Sequence, residues 1–183
     1  YTQASAGKLK TAIASTSSFG ALSVTAAATL AGQLALAPVK AFTPSLGQTF
    51  AILGASSRTG TFAKETGGVI KGSLAGLYYD PSYSPTAVTL VVTQAKLADT
   101  PIEGAPSSSV KLSGSGFPAG DKIKLSFTDS SAVKTTYTSV IANASGEFST
   151  EVTIPSTAGL GSGKLTATST LTSVSAAATF TVT

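Results

Sequence analysis

The sequence predicts an all-β protein of two tandem β-sandwich-like domains, residues 1–95 and 96–183, on three observations. The chain is built largely of Thr, Ser, Ala, Val, Gly and Leu, with only 11% charged residues, the composition of half-buried strands. Apolar residues alternate with small polar ones over short runs. Clusters of Gly, Pro, Asp, Asn and Ser separate those runs at the spacing of strand-turn-strand folds. At 183 residues either one large β domain or two small ones can bury a core.

The boundary falls near residues 94–106. There Gln94-Ala-Lys-Leu-Ala-Asp-Thr-Pro-Ile-Glu-Gly-Ala-Pro106 carries two Pro, one Gly and three charges with little periodicity. That is linker chemistry, or a linker joined to a first edge strand. Texture changes across it. The first part is Ala/Leu/Gly-rich and holds only Glu65 and Asp80 as acids, whereas the second is Ser/Thr-rich.

In the first part, Leu9 and Ile13, Leu22 and Val24, Leu30, Leu34 and Leu36, Phe50 and Ile52, Tyr79, and Val88 to Val92 mark about seven strands. Pro38, Pro44-Ser-Leu-Gly47, Arg58-Thr-Gly60, Gly67-Gly68 and Asp80-Pro-Ser82 lie between them. Either a sandwich or a short solenoid-like stack fits this pattern. In the second part, Val110 and Leu112 open the alternation, followed by Ile123, Leu125 and Phe127 with Lys122, Lys124 and Ser126 on the opposite face. Tyr137 with Val140 or Ile141, Phe148 with Val152 and Ile154, Leu165 with Ala167, and Phe180 with Val182 continue it. About seven short strands so spaced predict a two-sheet antiparallel sandwich.

Composition closes many catalytic routes. The chain has no His, Cys, Met or Trp. Acid–base catalysis near neutral pH usually falls to His, nucleophilic catalysis to Ser–His or Cys–His pairs, and zinc sites to His and Cys. No enzyme activity, cofactor or metal is expected. Without Cys there is no disulfide framework, so packing and strand pairing must hold the fold. The formal net charge is +4, but the basic residues are scattered without interleaved aromatics, so no nucleic-acid partner is expected. No run of about 20 apolar residues exists to insert in a bilayer. The chain opens at Tyr1 directly on strand-like sequence, as a processed product or a piece of something longer would.

Two resemblances follow from particular residues. The order Gly114-Ser-Gly-Phe-Pro-Ala-Gly-Asp121, Asn143-Ala-Ser-Gly-Glu-Phe148, Val152-Thr-Ile-Pro155 and Ala178-Thr-Phe-Thr-Val-Thr183 resembles the bacterial Ig-like repeats of surface and secreted proteins. In those repeats a GxGFxPG stretch turns between the second and third strands. In the first part, three blocks are similar to a segment of autotransporter-type bacterial surface proteins, where it often follows β-helical repeats. They are Tyr1-Thr-Gln3 with Gly7-Lys-Leu9, Phe42-Thr-Pro-Ser-Leu-Gly-Gln-Thr-Phe50 with Ser57-Arg-Thr-Gly-Thr-Phe62, and Leu77-Tyr-Tyr-Asp-Pro-Ser-Tyr83 with Val88-Thr-Leu-Val-Val92. With no coils before Tyr1, a long solenoid is not expected. The resemblance implies an extracellular or bacterial cell-surface β module and carries no catalytic residues.

Candidate sites are few. Ser57-Arg58-Thr59-Gly60 holds the sole Arg, whose fork can grip a carboxylate or sulfate or cap a sheet edge. Tyr78, Tyr79 and Tyr83 surround Asp80-Pro81, and Tyr78 and Tyr83 are the candidate sugar contacts. Alternation turns Tyr78 and Tyr79 opposite ways, with one in the core, and Asp80-Pro-Ser82 also reads as a turn starter. Glu147 and Glu151 share a strand face roughly 13 Å apart at about 3.3 Å per residue, too wide for a glycosidase pair. Asp129 with carbonyls is the one calcium candidate. An isopeptide cross-link finds no buried Lys, because Lys111, Lys122, Lys124 and Lys164 fall out of phase with the apolar residues. Asn143, the sole Asn, fits an Asx-turn.

The expected role is structural: a fibre, filament, stalk or adhesin subunit that joins neighbours head-to-tail, through strand edges, domain ends or neighbouring repeats. The alternative is a carbohydrate-binding module of a secreted polysaccharide-active enzyme, with polysaccharide as partner. Exposed aromatics in a planar patch would favour the alternative.

Overall fold

The computed structural model describes residues 1–39, 42–71 and 75–183, which form sixteen β-strands and no helix. The all-β class read from the sequence is what the chain adopts. Two compact units divide it: Tyr1–Gln94 with Leu171–Ser173, and Ala95–Thr170 with Val174–Thr183.

The first unit contains β1 (Lys8–Ile13), β2 (Leu22–Leu30), β3 (Gln33–Pro38), β4 (Thr49–Gly60), β5 (Lys64–Thr66), β6 (Leu77–Tyr83) and β7 (Ala87–Gln94). They make two sheets, β1-β3-β5 and β2-β4-β7-β6. All pairings in the first sheet are parallel, as is β2 on β4. Parallel neighbours need a return crossing of the chain, and here each crossing is made through the other sheet. Successive turns therefore stack: β1 then β2, β3 then β4. The stack changes character at β7, which pairs antiparallel with both β4 and β6. A common core of Ile13, Leu34, Phe50, Ile52, Leu53, Tyr79, Val88 and Leu90 lies between the sheets, with Phe50 in edge-to-face contact with Phe19, Phe42 and Tyr79.

Three local expectations are corrected. Leu22, Val24 and Leu30 belong to one strand, bent by a bulge between Val24 and Ala27. Arg58-Thr59-Gly60 is no turn but the end of the long strand β4. Asp80-Pro81-Ser82 lies inside β6; β6 is the last strand of its sheet, where a proline without an N–H is tolerated. The strand β5, Lys64-Glu65-Thr66, went unmarked because it has no apolar residue.

The second unit contains β8 (Lys96–Thr100), β9 (Glu103–Gly104), β10 (Ser109–Ser115), β11 (Lys122–Thr128), β12 (Lys134–Thr136), β13 (Val140–Ile141), β14 (Phe148–Thr153), β15 (Gly161–Ser169) and β16 (Ser175–Val182). One sheet runs β14-β10-β8; the other runs β12-β11-β15-β16-β9, with β13 also on β11. The stretch read as linker chemistry thus carries two strands, one in each sheet. Val110, Leu112, Ile123, Leu125, Phe127, Phe148, Leu165, Phe180 and Val182 are buried, while Lys111, Lys122, Lys124 and Lys164 are exposed. The period-2 alternation accounts for this register, since a one-residue slip would bury the lysines.

Two of the four motif blocks of the second unit, Gly114–Asp121 and Asn143–Phe148, meet in space. Phe117 donates its N–H to the Gly146 carbonyl at 3.1 Å, and its ring lies 5.6 Å from that of Phe148. Gly146 has φ +73°, and a Cβ there would sit 2.1 Å from the Phe117 carbonyl oxygen, so both conformation and space demand glycine.

Candidate functional site

The most distinctive constellation is the end of the parallel stack formed by β1, β2 and Tyr1–Gln3. Thr2 bridges Thr29 in parallel, and Thr29 is in turn paired with Thr59, giving three exposed threonines in one column. Thr29 donates to the Tyr1 carbonyl and Gln3 donates to the Thr29 carbonyl, both at 2.9 Å. Tyr1–Gln3 therefore occupies the position of a strand one turn before β2.

Gln3 ties this end together. Its side chain is buried, and Nε2 donates to the carbonyls of Ala31 at 2.6 Å, Gln33 at 3.1 Å and Gly7 at 3.2 Å, while Oε1 accepts from the Tyr1 hydroxyl at 2.8 Å. A buried amide so fully used is a structural clasp. In the sequence a lone Gln has no periodicity to mark this role.

Core columns run through the stack and end here. Leu9 is in register with Leu34, and Leu22 with Leu53. Leu34 and Leu53 are buried, whereas Leu9 and Leu22 are half-buried, as is Phe19. At the other end of the first column stands Glu65, in register with Leu34.

Glu65 takes an inward position that Leu9 and Leu34 fill with hydrocarbon. It is 1% exposed, neither carboxyl oxygen has a hydrogen-bond partner among the described residues, and a Cβ on Gly68 would lie 1.6 Å from Oε1. Burial, with the Asp80 charge adding to it, pushes its pKa up to about 9, so it holds a proton at neutral pH.

Tyr78 is fully buried; a ligand contact there is corrected, because the ring has no face toward solvent. Tyr79 is buried as well, so both neighbours are enclosed although they point opposite ways. Tyr83 is half-buried, with its hydroxyl accepting from the Phe62 N–H at 3.2 Å. Burial raises its pKa to about 12. The Arg58 guanidinium lies over the Tyr83 ring at 5.1 Å, within cation–π range. Arg58 also donates to the Ser84 carbonyl at 2.7 Å and to the Gly60 carbonyl. Arg58 and Tyr83 thus come together, but as a staple between the end of β4 and the β6–β7 hairpin.

In the second unit Asp129 and Asp121 are bonded within the fold and Glu147 and Glu151 are solvated, while Asp99 Oδ2 is buried without a hydrogen-bond partner among the described residues and burial raises its pKa. Asp129 Oδ1 accepts from Ser131 and Val133 and Oδ2 from Gly159. Those three N–H donors hold its pKa below the usual carboxylate value. Asp121 accepts from the hydroxyls of Ser169 at 2.5 Å and Thr170 at 2.9 Å. Glu147 and Glu151 are exposed. Asn143 Oδ1 accepts from the Ser145 and Glu147 N–H groups at 2.9 Å, an Asx-turn. An open groove of about 630 Å³ crosses β8, β10 and β14, lined by Lys96, Ser113, Ser115, Glu147 and Ser149 among others. Phe148 also lines it, but the residue is only 8% exposed and its ring packs over Gly114, where a Cβ would lie 2.1 Å from it.

Among the described residues no three of His, Cys, Asp and Glu gather as metal ligands, and no helix is long and apolar enough to cross a membrane. No protein family matches this chain, and no curated protein matches it.

Proposed function

We propose that this chain is a non-catalytic structural module of a bacterial extracellular or cell-surface protein, a unit of a fibre, filament, stalk or adhesin. One observation carries this: the first unit is a parallel stack closed on one side by the antiparallel β7–β6 pair and ending on the other in half-exposed core residues and strand edges. A parallel stack of this kind can extend by adding turns, from neighbouring repeats or from another copy joined head-to-tail, and a non-closing contact propagates. The resemblance of residues 1–95 to autotransporter-type surface segments supports the same reading.

The second unit fits the role of an Ig-like spacer. Its sheet orders, with the first strand region shared between the sheets as β8 and β9, fit the Greek-key sandwich of Ig-like domains, as do its motif blocks. The absence of oxidisable Cys, Met and Trp suits life outside the cell.

The carbohydrate-binding alternative has no such support. Of the eight Phe and five Tyr, Tyr1 alone is exposed, at 41%, and stacking on sugars needs open ring faces.

Light scattering across protein concentration, paired with affinity electrophoresis through acidic and neutral polysaccharides, tests the proposal. Concentration-dependent growth without retardation by any polysaccharide is expected. A monomer at all concentrations that is retarded by a polysaccharide would overturn it.

A further inference from the structure

Residues 96–183 hold six lysines and six acids and so carry no net charge, yet the charges are sorted between the two sheets. On the sheet β14-β10-β8, Lys111 stands in register with Glu151. On the other sheet four lysines face outward. Lys122 and Lys124 are exposed on β11, where Ile123, Leu125 and Phe127 fill the core. Lys134 of β12 and Lys164 of β15 are exposed on either side of Thr128, with which both are in register. In the strands of this sheet, β13 included, the one acid is Glu103, on the far edge strand β9.

Hydroxyls fill the space between the lysines. Ser126 lies between Thr136 and Thr166, and Lys124 lies beside Thr168. The aromatic residues of these strands, Phe127 and Phe180, point into the core, so no ring is offered for stacking on a sugar or a base. One residue breaks the polar pattern: Ile141, in register with Lys122, is 62% exposed. Val133, next to Lys134 at the same margin of the sheet, is exposed as well. Lys122 and Lys124 stand about 7 Å apart along their strand, and Lys134 and Lys164 about 10 Å apart across the sheet.

We propose that this lysine face docks on an anionic phospholipid bilayer, with the lysines meeting headgroup phosphates and Ile141 entering the boundary between headgroups and acyl chains. Charge complementarity selects an anion, because four cations share the face with a single acid at its edge. Lysine meets phosphate as a point charge. Lysines spread over a sheet, not gathered in a pocket, match a plane of phosphates better than one small anion. Ile141 separates a bilayer from a soluble polyanion: an exposed aliphatic side chain among lysines gains from contact with lipid and nothing from a hydrated polymer. Docking is peripheral, and each lysine near the surface contributes about fivefold in affinity. This surface goes beyond the structural role and does not depend on it, since a single copy suffices to dock.

Sedimentation of the full chain with vesicles tests it. Binding is expected to vesicles of phosphatidylcholine and phosphatidylglycerol in equal parts and not to phosphatidylcholine alone. It should be lost in about 1 M salt, where the Debye length is about 3 Å. Lys122→Gln with Lys124→Gln, and Lys134→Gln with Lys164→Gln, should each weaken binding about twentyfold. Lys96→Gln with Lys111→Gln, which removes the same charge from the opposite sheet, should leave it unchanged. Ile141→Ser should weaken vesicle binding about tenfold without altering retention of soluble polyphosphate. Equal loss in all three lysine pairs, or no preference for the mixed vesicles, would overturn the docking face. Vesicle binding unchanged by Ile141→Ser would reassign the face to a hydrated polyanion and overturn the lipid partner. Each of these failures leaves end-to-end assembly untouched, because light scattering reads that separately.

Discussion

Leu9 lies beside Leu34 in parallel register, one turn of chain earlier, yet Leu34 is wholly buried and Leu9 is half-exposed. The same step separates Leu22 from Leu53. Both columns are fully covered inside the stack and partly covered at its end. Fully burying an aliphatic side chain of this size is worth about 1.5–3 kcal/mol, of which Leu9 and Leu22 lack only the part that their exposed surface represents. The tie that keeps this end ordered is Gln3, which suggests the first test.

Gln3→Ala removes four side-chain hydrogen bonds, three donated to the Ala31, Gln33 and Gly7 carbonyls and one accepted from the Tyr1 hydroxyl; the Gly7 carbonyl keeps the Gln33 N–H as a donor. The expected loss is about 1–3 kcal/mol, read as a lower urea midpoint for the first unit. Exchange at Thr29 should rise at the same time, because its acceptor Tyr1 is held by the same side chain. An unchanged midpoint would mean that water replaces the amide at no cost.

Glu65→Gln should remove a pH dependence. In the folded protein Glu65 keeps its proton up to about pH 9, whereas its ordinary value is 4.5. Unfolding then releases a proton anywhere between those values, so stability falls as pH rises through that window, by at most about 1.4 kcal/mol per pH unit. Thermal melts of the native protein from pH 5 to pH 8 should show this decline. Glu65→Gln, uncharged at every pH, should flatten it. Parallel pH profiles for the two proteins would contradict the burial of an unpaired carboxyl.

Phe127→Ala should destabilise the second unit by about 3–5 kcal/mol. The ring is fully buried, in edge-to-face contact with Phe180 at 6.3 Å, and fills the space beside Gly163, whose Cβ would stand 2.5 Å from it. Denaturant unfolding followed by the fluorescence of Tyr137, the sole tyrosine of this unit, reads the loss.

How far the chain can be read without its structure depends on which periodicity each element carries. In the second unit, Ile123, Leu125 and Phe127 alternate with Lys122 and Lys124, and that pattern suffices to place the buried face. In the first unit the same alternation marks strands but says nothing of direction, because a period of two is common to parallel and antiparallel pairs. The stacking of β1 on β3 and of β2 on β4 was therefore hidden. So was β5, where Glu65 occupies an apolar column. Tyr78 looked available because it adjoins a turn-like Asp-Pro-Ser, but Pro81 sits in an edge strand and the tyrosine is enclosed. Arg58 and Tyr83 were legible as neighbours of turns, and their mutual stacking was not. Gln3 emerges only from pairing.

The central claim is that the chain serves as a structural unit that joins its neighbours end to end, and electron microscopy of the protein as cells display it tests this most directly. Strings, stalks or filaments in which successive β units repeat along one axis are the expected result. Isolated single particles would contradict it.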